Sequence, residues 1–262
     1  MKRVAIIAAM AGELKPLVSK WQHVRRNGVD LWRWSFDDGE WVAACAGAGV
    51  DAATRALAEV EKDGPVDVII STGWAGALNE EFLPGRAYFV AGVIDARTGE
   101  RFEADVRSHR AIRTGADEDV RATAKRGPGR PEMWLVTSPR VADAEEKQRL
   151  AAAYGAGLVD MEAAGIARLA AMRGIRFYCV KAVSDGFREQ LPDFNRFISA
   201  TGQFRLLPFI LFVILRPRYW PALVRMGENS KKAAQAIRES LFEIIDETGA
   251  IRRRNGYPNF ER

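Results

Sequence analysis

Three carboxylates stand out by where they fall. Glu13 comes just after the apolar run Val4 to Ala9, Glu162 sits in Asp160-Met161-Glu162 after Leu158 and Val159, and Asp185 follows Ser184 at the end of the run Ile175 to Val183. Carboxyl groups give and take protons and offset a developing positive charge, so three of them facing one pocket would suit acid–base work beside a cation. In open α/β sheets ligand sites gather just beyond the carboxyl ends of strands, and all three residues fall at such ends. A fourth end carries the turn Gly47-Ala48-Gly49 after Trp41 to Ala46. That turn mimics a dinucleotide fingerprint. The next apolar run, Val66 to Ser71, leads into Thr72-Gly73 where an acidic ribose ligand would be needed, which argues against a nicotinamide cofactor. No metal is expected: His23, His109, Cys45 and Cys179 form no ligand set of the usual spacing. Both cysteines lie in apolar runs and read as buried thiols in a reducing compartment, with no disulfide framework.

Hydropathy predicts the elements that must hold these groups. Val4 to Ala9 and Val66 to Ser71 are continuous apolar runs, as strands covered on both faces are. Leu31 to Phe36 alternates, Asp38-Gly39 is a hairpin signal, and Trp41 to Ala46 returns as its partner. Tyr88 to Ile94, Met133 to Thr137 and Ile175 to Val183 are further strands, and Thr72 to Gly76 is a loop of small residues around Trp74. Helices are expected over Gly12 to Lys20, Asp51 to Lys62, Asp143 to Ala153, Met161 to Arg173 and Ser230 to Asp246. Strands alternating with helices across short loops predict an α/β fold, a mixed or parallel sheet sandwiched by helices. No repeat or linker divides residues 1–262, so one domain is expected.

The composition fits a globular chain. Of 262 residues, 48% are apolar and 28% charged, which excludes a disordered or fibrous protein. The net charge of +5 comes from 39 basic residues interspersed among 34 acidic ones, too small a surplus for a nucleic-acid coat. Residues 97–131, dense in arginine, glycine and proline, read as an exposed excursion. Met1-Lys2-Arg3 followed by Val4 to Ala11 imitates a signal peptide but runs straight into Glu13 and Lys15, as an uncleaved first strand would. No run reaches the ~18–20 apolar residues that span a bilayer, and a cytoplasmic protein is expected. Leu206 to Leu215 is apolar throughout and framed by Arg205, Arg216 and Arg218, with Tyr219 and Trp220 following. As a helix it would be ~15 Å long, about half of a bilayer core, so it cannot span. Residues 204–226 therefore suit a helix lying in a membrane interface, peripheral on the inner face. A buried helix and a subunit contact are the alternatives. The basic tail 250–262 is expected to be disordered.

Five segments in order carry a family resemblance. They are Ala5 to Met10 leading to Glu13, Ala46 to Ala53, Asp67 to Gly76, Val159 to Ala164, and Lys181-Ala182-Val183-Ser184-Asp185. Together they resemble the purine nucleoside phosphorylase and uridine phosphorylase superfamily, most closely its methylthioadenosine/S-adenosylhomocysteine nucleosidase branch. The resemblance implies a three-layer α/β/α sandwich around a mixed, twisted sheet. It also implies cleavage of the N-glycosidic bond of a purine nucleoside through an oxocarbenium-like ribosyl cation. On that basis Asp185 is the acid at purine N7, and Glu162 accepts hydrogen bonds from the ribose 2′- and 3′-hydroxyls. Met161 lies against the ribose and Glu13 is the base for water, a role that burial would support by raising its pKa. The stretch Ser138 to Ala142, with Val141 and Ala142, falls where backbone groups read the purine edge, and Trp74 and Ser184 belong to the same pocket.

Trp74 stands where the nucleosidases have serine, and Lys181 where they have arginine. The acceptor is therefore left open between water and phosphate. Phosphate would be a co-substrate held by a nest of amides at Gly47 and Gly49, with Lys181 and Arg55 supplying charge. No cofactor is implied, and a homo-oligomer is. The segment 204–226 and Phe194-Asn195-Arg196-Phe197 are similar to the hopanoid-biosynthesis-associated nucleoside phosphorylases, which remove adenine from a lipid-linked adenosine.

Overall fold

The computed structural model describes residues 2–36, 39–105, 133–189 and 191–247. Asp38 of the hairpin signal, the arginines from 107 to 130 and the basic tail lie outside the described residues. The first apolar run forms β1 (Lys2–Ala8), whose side chains alternate between two cores. Ala5 and Ile7 pack under α2 (Val50–Glu61) and α4 (Ala163–Arg173), beside Leu57, Val60 and Ile166. Val4 and Ile6 face the other way, toward Leu14 and Leu17 of α1 (Ala11–Val18) and Ile237 and Leu241 of α6 (Trp220–Glu247). A strand apolar from Val4 onward is thus covered on both faces, and the helices form the outer layers of an α/β/α sandwich.

Among the described residues the sheet is mixed and has twelve strands. In sequence the others are β2 (Gln22–Arg26), β3 (Val29–Phe36), β4 (Gly39–Cys45), β5 (Val68–Ser71), β6 (Trp74–Ala77) and β7 (Ala87–Phe89). There follow β8 (Gly92–Asp95), β9 (Arg101–Glu103), β10 (Trp134–Thr137), β11 (Leu158–Asp160) and β12 (Arg176–Asp185). Their order across the sheet is β2-β3-β4-β1-β5-β12-β6-β11-β10-β8-β9, with β7 also on β12. The ten-residue β12 joins two halves at different heights. Arg176 to Cys179 lie parallel to β5, whereas Ala182 to Asp185 lie parallel to β6.

Five elements differ from the sequence expectation. Thr72 to Gly76 is not all loop, because Trp74 to Ala77 pair as β6 between β12 and β11. Gly76 permits this: a Cβ there would stand 2.9 Å from the side chain of Lys147 on α3 (Ala144–Tyr154). Tyr88 to Ile94 is two strands, β7 against β12 and β8 against β10. The edge strands β2 and β9 carry no sequence signal because they are short and largely polar, as sheet edges tend to be. The closing helix starts at Trp220, ten residues before Ser230.

The apolar segment forms α5 (Leu206–Ile214), and none of its residues is buried. Leu207 is 75% exposed, Leu211 65% and the following Leu215 77%. It is therefore not a helix of the chain's own core. No single described helix is long and apolar enough to cross a membrane, and α5 meets the helix after it at a bend of 105°.

Candidate active site

The first carboxylate lies in the opening turn of α1. Glu13 is 2% exposed, and its oxygens accept the backbone N–H groups of Ala9 (2.9 Å), Met10 (2.9 Å) and Trp74 (3.0 Å). Burial pushes its pKa above the ordinary carboxylate value, against the pull of those N–H groups and of the Lys181 charge. The site leaves no room for a larger neighbour. Gly73 has φ +122°, and a Cβ on it would stand 2.9 Å from a Glu13 oxygen. Trp74 packs its ring over Gly12, so the indole fills the space beside Glu13.

Glu162 stands at the N-cap position of α4, and its carboxylate takes the Gly49 N–H at 2.7 Å and the Met161 N–H at 3.3 Å. Burial first, and the neighbouring Asp160 second, push its pKa up to about 7, against Lys181 and the Gly49 bond. Asp160 itself is a hub. It accepts from the Thr137 hydroxyl at 2.7 Å, from the Ala163 N–H at 2.9 Å and from Lys181 Nζ at 2.8 Å.

Asp185 ends β12, where the register with β6 shifts between Val183 and Asp185. Such a bulge re-aims a side chain, a device common beside active sites. The Ser184 hydroxyl donates to Asp185 Oδ1 at 2.6 Å, and Lys147 Nζ forms an ion pair with Oδ2. Lys147 is 2% exposed and also donates to the Gly186 carbonyl at 2.7 Å.

The groups expected to contact phosphate each have a protein partner in this structure. Lys181 is fully buried, donates to the Thr72 carbonyl at 2.9 Å and pairs with Asp160. Burial works against its charge, but Asp160 and Glu162 hold its pKa above the ordinary lysine value. It is an internal counter-ion that also acts on Glu13 and Glu162, not a pocket cation. The Gly47 and Gly49 amides form no open nest. Gly47 N–H donates to the Ala9 carbonyl at 3.0 Å, Ala48 N–H to the Gly202 carbonyl at 2.8 Å, and Gly49 N–H to Glu162. Arg55 binds the Thr201 carbonyl at 2.8 Å.

The remaining expected residues lie around the same strand ends. Met161 directly precedes Glu162 after β11. Val141 and Ala142 follow β10 and line a cleft with Asp193, Phe194 and Asn195. Both backbone polar groups of Val141 meet Asn195: its N–H donates to Oδ1 at 2.8 Å, and its carbonyl accepts from Nδ2 at 3.0 Å. Lys147, Asp160 and Thr137 carry no site role in the sequence reading, and Asn195 enters it only within Phe194-Asn195-Arg196-Phe197. Asp160 has a sequence signal, since it lies two residues before Glu162 in Asp160-Met161-Glu162. Among the described residues no cluster of histidine, cysteine or carboxylate side chains is arranged to hold a metal ion. Cys45 and Cys179 are buried and unpaired with each other, and burial pushes both thiols up to about 12.

A sheet of this order, with buried carboxylates at its strand ends, defines a nucleoside phosphorylase-type fold. The sequence profile of the phosphorylase superfamily matches residues 3–205, and the chain belongs to that superfamily. No curated protein sequence matches the chain. Solved structures with the same fold include 5′-methylthioadenosine/S-adenosylhomocysteine nucleosidase from Neisseria meningitidis, at 19% identity. That match covers 94% of this chain and 100% of the other, with a TM-score of 0.65. The 5′-methylthioadenosine nucleosidase of Arabidopsis thaliana is 16% identical over 96% and 98% of the two chains, with a TM-score of 0.66. The futalosine hydrolase of Helicobacter pylori is 14% identical over 94% and 98%, with a TM-score of 0.64.

Proposed function

We propose that the protein hydrolyses the N-glycosidic bond of an adenine nucleoside that carries an apolar 5′-substituent. The observation that carries this reading is that Glu13, Glu162 and Asp185, each buried and held by named donors, follow or end β1, β11 and β12 of one sheet. Nucleosidase and futalosine hydrolase names on structures of the same fold support a nucleoside as substrate.

In this scheme Asp185, oriented by Ser184, takes a proton from its Lys147 ammonium partner and passes it to the purine as the C1′–N bond breaks and its electron pair leaves with the base. Glu162 accepts the ribose hydroxyl protons in hydrogen bonds, and its charge steadies the ribosyl cation. Glu13 takes one proton from the attacking water, whose oxygen bonds to C1′. Water is favoured over phosphate because the amides and the lysine expected to hold a dianion already have protein partners.

The apolar 5′-substituent, with a hopanoid adenosine as its candidate, fits the surface of α5. Leu207, Leu211 and Leu215 are exposed beside Arg205, Arg216 and Arg218, and the half-exposed Trp220 follows. Apolar side chains ringed by arginines and aromatics match a bilayer interface with anionic headgroups. The protein should therefore sediment with vesicles containing a third anionic lipid, and a Leu207→Glu/Leu211→Glu variant should stay in solution. Equal sedimentation of the two proteins would remove the membrane contact.

Adenine release measured by chromatography tests the chemistry. Adenosine, methylthioadenosine, S-adenosylhomocysteine and a 5′-alkyl-adenosine are each incubated with and without phosphate. Adenine is expected mainly from the alkyl analogue, at the same rate in either buffer. Dependence on phosphate would make the reaction phosphorolysis, and no free base from any of them would remove the assignment.

A further inference from the structure

Asn195 meets both backbone polar groups of Val141 with one carboxamide, accepting at 2.8 Å and donating at 3.0 Å. A primary amide places an acceptor and a donor side by side. Adenine does the same, with a ring nitrogen beside its 6-amino group. Resting on the proposed role of Val141 as a reader of the base, we infer that Asn195 is an internal stand-in for adenine. The strap that carries it, residues 191–205, caps the base site and lifts when substrate enters.

Several contacts hold that strap across the strand ends. Asp193 accepts the Asn195 N–H at 3.1 Å, which fixes the turn from which the carboxamide projects. At the other end the Gly202 carbonyl takes the Ala48 N–H at 2.8 Å, on the turn whose Gly49 holds Glu162. The approach there is close enough to demand glycine on both sides. A Cβ on Gly202 would lie 2.1 Å from the Ala48 carbonyl oxygen, and one on Gly47 would lie 2.5 Å from that of Gly202. The strap thus reaches from the proposed base reader to the proposed ribose anchor.

The strap is also tied to the exposed helix. Phe194 and Phe197 pack on Phe209 of α5 with ring centroids 5.4 Å apart in each pair, and Phe197 meets Phe212 at 5.2 Å. Asn195 lies between these two aromatic anchors. Whatever shifts α5 therefore shifts the residue that occupies the Val141 edge, and the base site is coupled to the apolar surface.

A ligand that must first displace an internal competitor binds more weakly by the fraction of molecules left open. Two hydrogen bonds of ordinary net worth bias the strap closed by about tenfold. Calorimetry with adenine on the full chain measures this directly. Asn195→Ala removes the stand-in. Asn195→Asp keeps its size but sets an oxygen against the Val141 carbonyl. Both variants, shown to be folded by thermal melting, are expected to bind adenine about tenfold more tightly than the unaltered protein. In the unaltered protein, adenine should also shift the Asn195 side-chain amide signals in an NMR spectrum.

Adenine affinity that is equal or weaker in both variants would overturn the stand-in and leave the proposed function untouched. Failure of all three proteins to bind adenine would overturn the stand-in together with the base-reading role of Val141.

Discussion

Asp185→Asn lowers turnover by about a thousandfold, the middle of the range that a positioned general acid contributes. The substitution keeps the side chain's volume but removes the carboxylate that would pass a proton from Lys147 to the leaving purine. It also strips a buried ammonium of its counter-charge, since Lys147 is paired with Asp185 and has no route to water. Breaking one side of a buried ion pair costs about 3–5 kcal/mol, so the variant should melt well below the parent. Adding Lys147→Met should restore most of the melting temperature without restoring turnover. That split separates a chemical role from a structural one. Turnover that returns together with stability in the double variant would reduce Asp185 to a partner of Lys147.

The second large effect concerns Glu162. Its carboxylate must be ionised to accept the ribose hydroxyls, and its pKa is raised to about 7 by burial and by Asp160. The value of kcat/KM should therefore rise about tenfold per pH unit below that point and level off above it. Glu162→Gln should lower the plateau by about 10²–10³, the worth of two hydrogen bonds to a charged group, and abolish the limb. The stability effect follows from the same shift. The folded protein holds this proton up to about pH 7, whereas the unfolded chain releases it near 4.5. Glu162 thus favours the folded state fully below pH 4.5, and its contribution is lost as pH climbs toward 7. The glutamine variant, neutral throughout, should lose that slope in pH-dependent denaturation. An unchanged limb in the variant would assign the titration to another group.

Much of the site was legible because it sits where short-range pattern and topology agree. Glu13, Glu162 and Asp185 each follow an apolar run, and a strand covered on both faces announces its own end. The layers followed from the same runs, and Leu14, Leu17, Ile237 and Leu241 show the alternation completed across the core. What escaped depends on which groups packing brings together. Lys147 lies among the charges of Ala144 to Arg149 and looks like any solvated helix residue, yet it is fully buried beside Asp185. Lys181 in an apolar run is compatible with a ligand cation or with an ion pair, and only the approach of Asp160 decides between them. The glycines of the Gly47 turn announce unusual backbone angles. They say nothing of what their N–H groups meet, and Ala9, Gly202 and Glu162 take all three donors of the turn. Asn195 is fifty-four residues from Val141, a separation that no local pattern reports.

The long β12 has a consequence for how the molecule comes apart. Its first half is laced to β5 and its second half to β6 and β7, so among the described strands it alone is shared by both half-sheets. Glu13 belongs to one half and Glu162 to the other, while Asp185 closes the shared strand. Neither half can open its hydrogen bonds along β12 without loosening the edge on which the other is built. Partial opening that spares the chemistry is thereby disfavoured, and the amides from Phe177 to Val183 belong to the last cooperative unit to exchange with solvent. The three carboxylates are then assembled and lost together, as a property of the whole sheet.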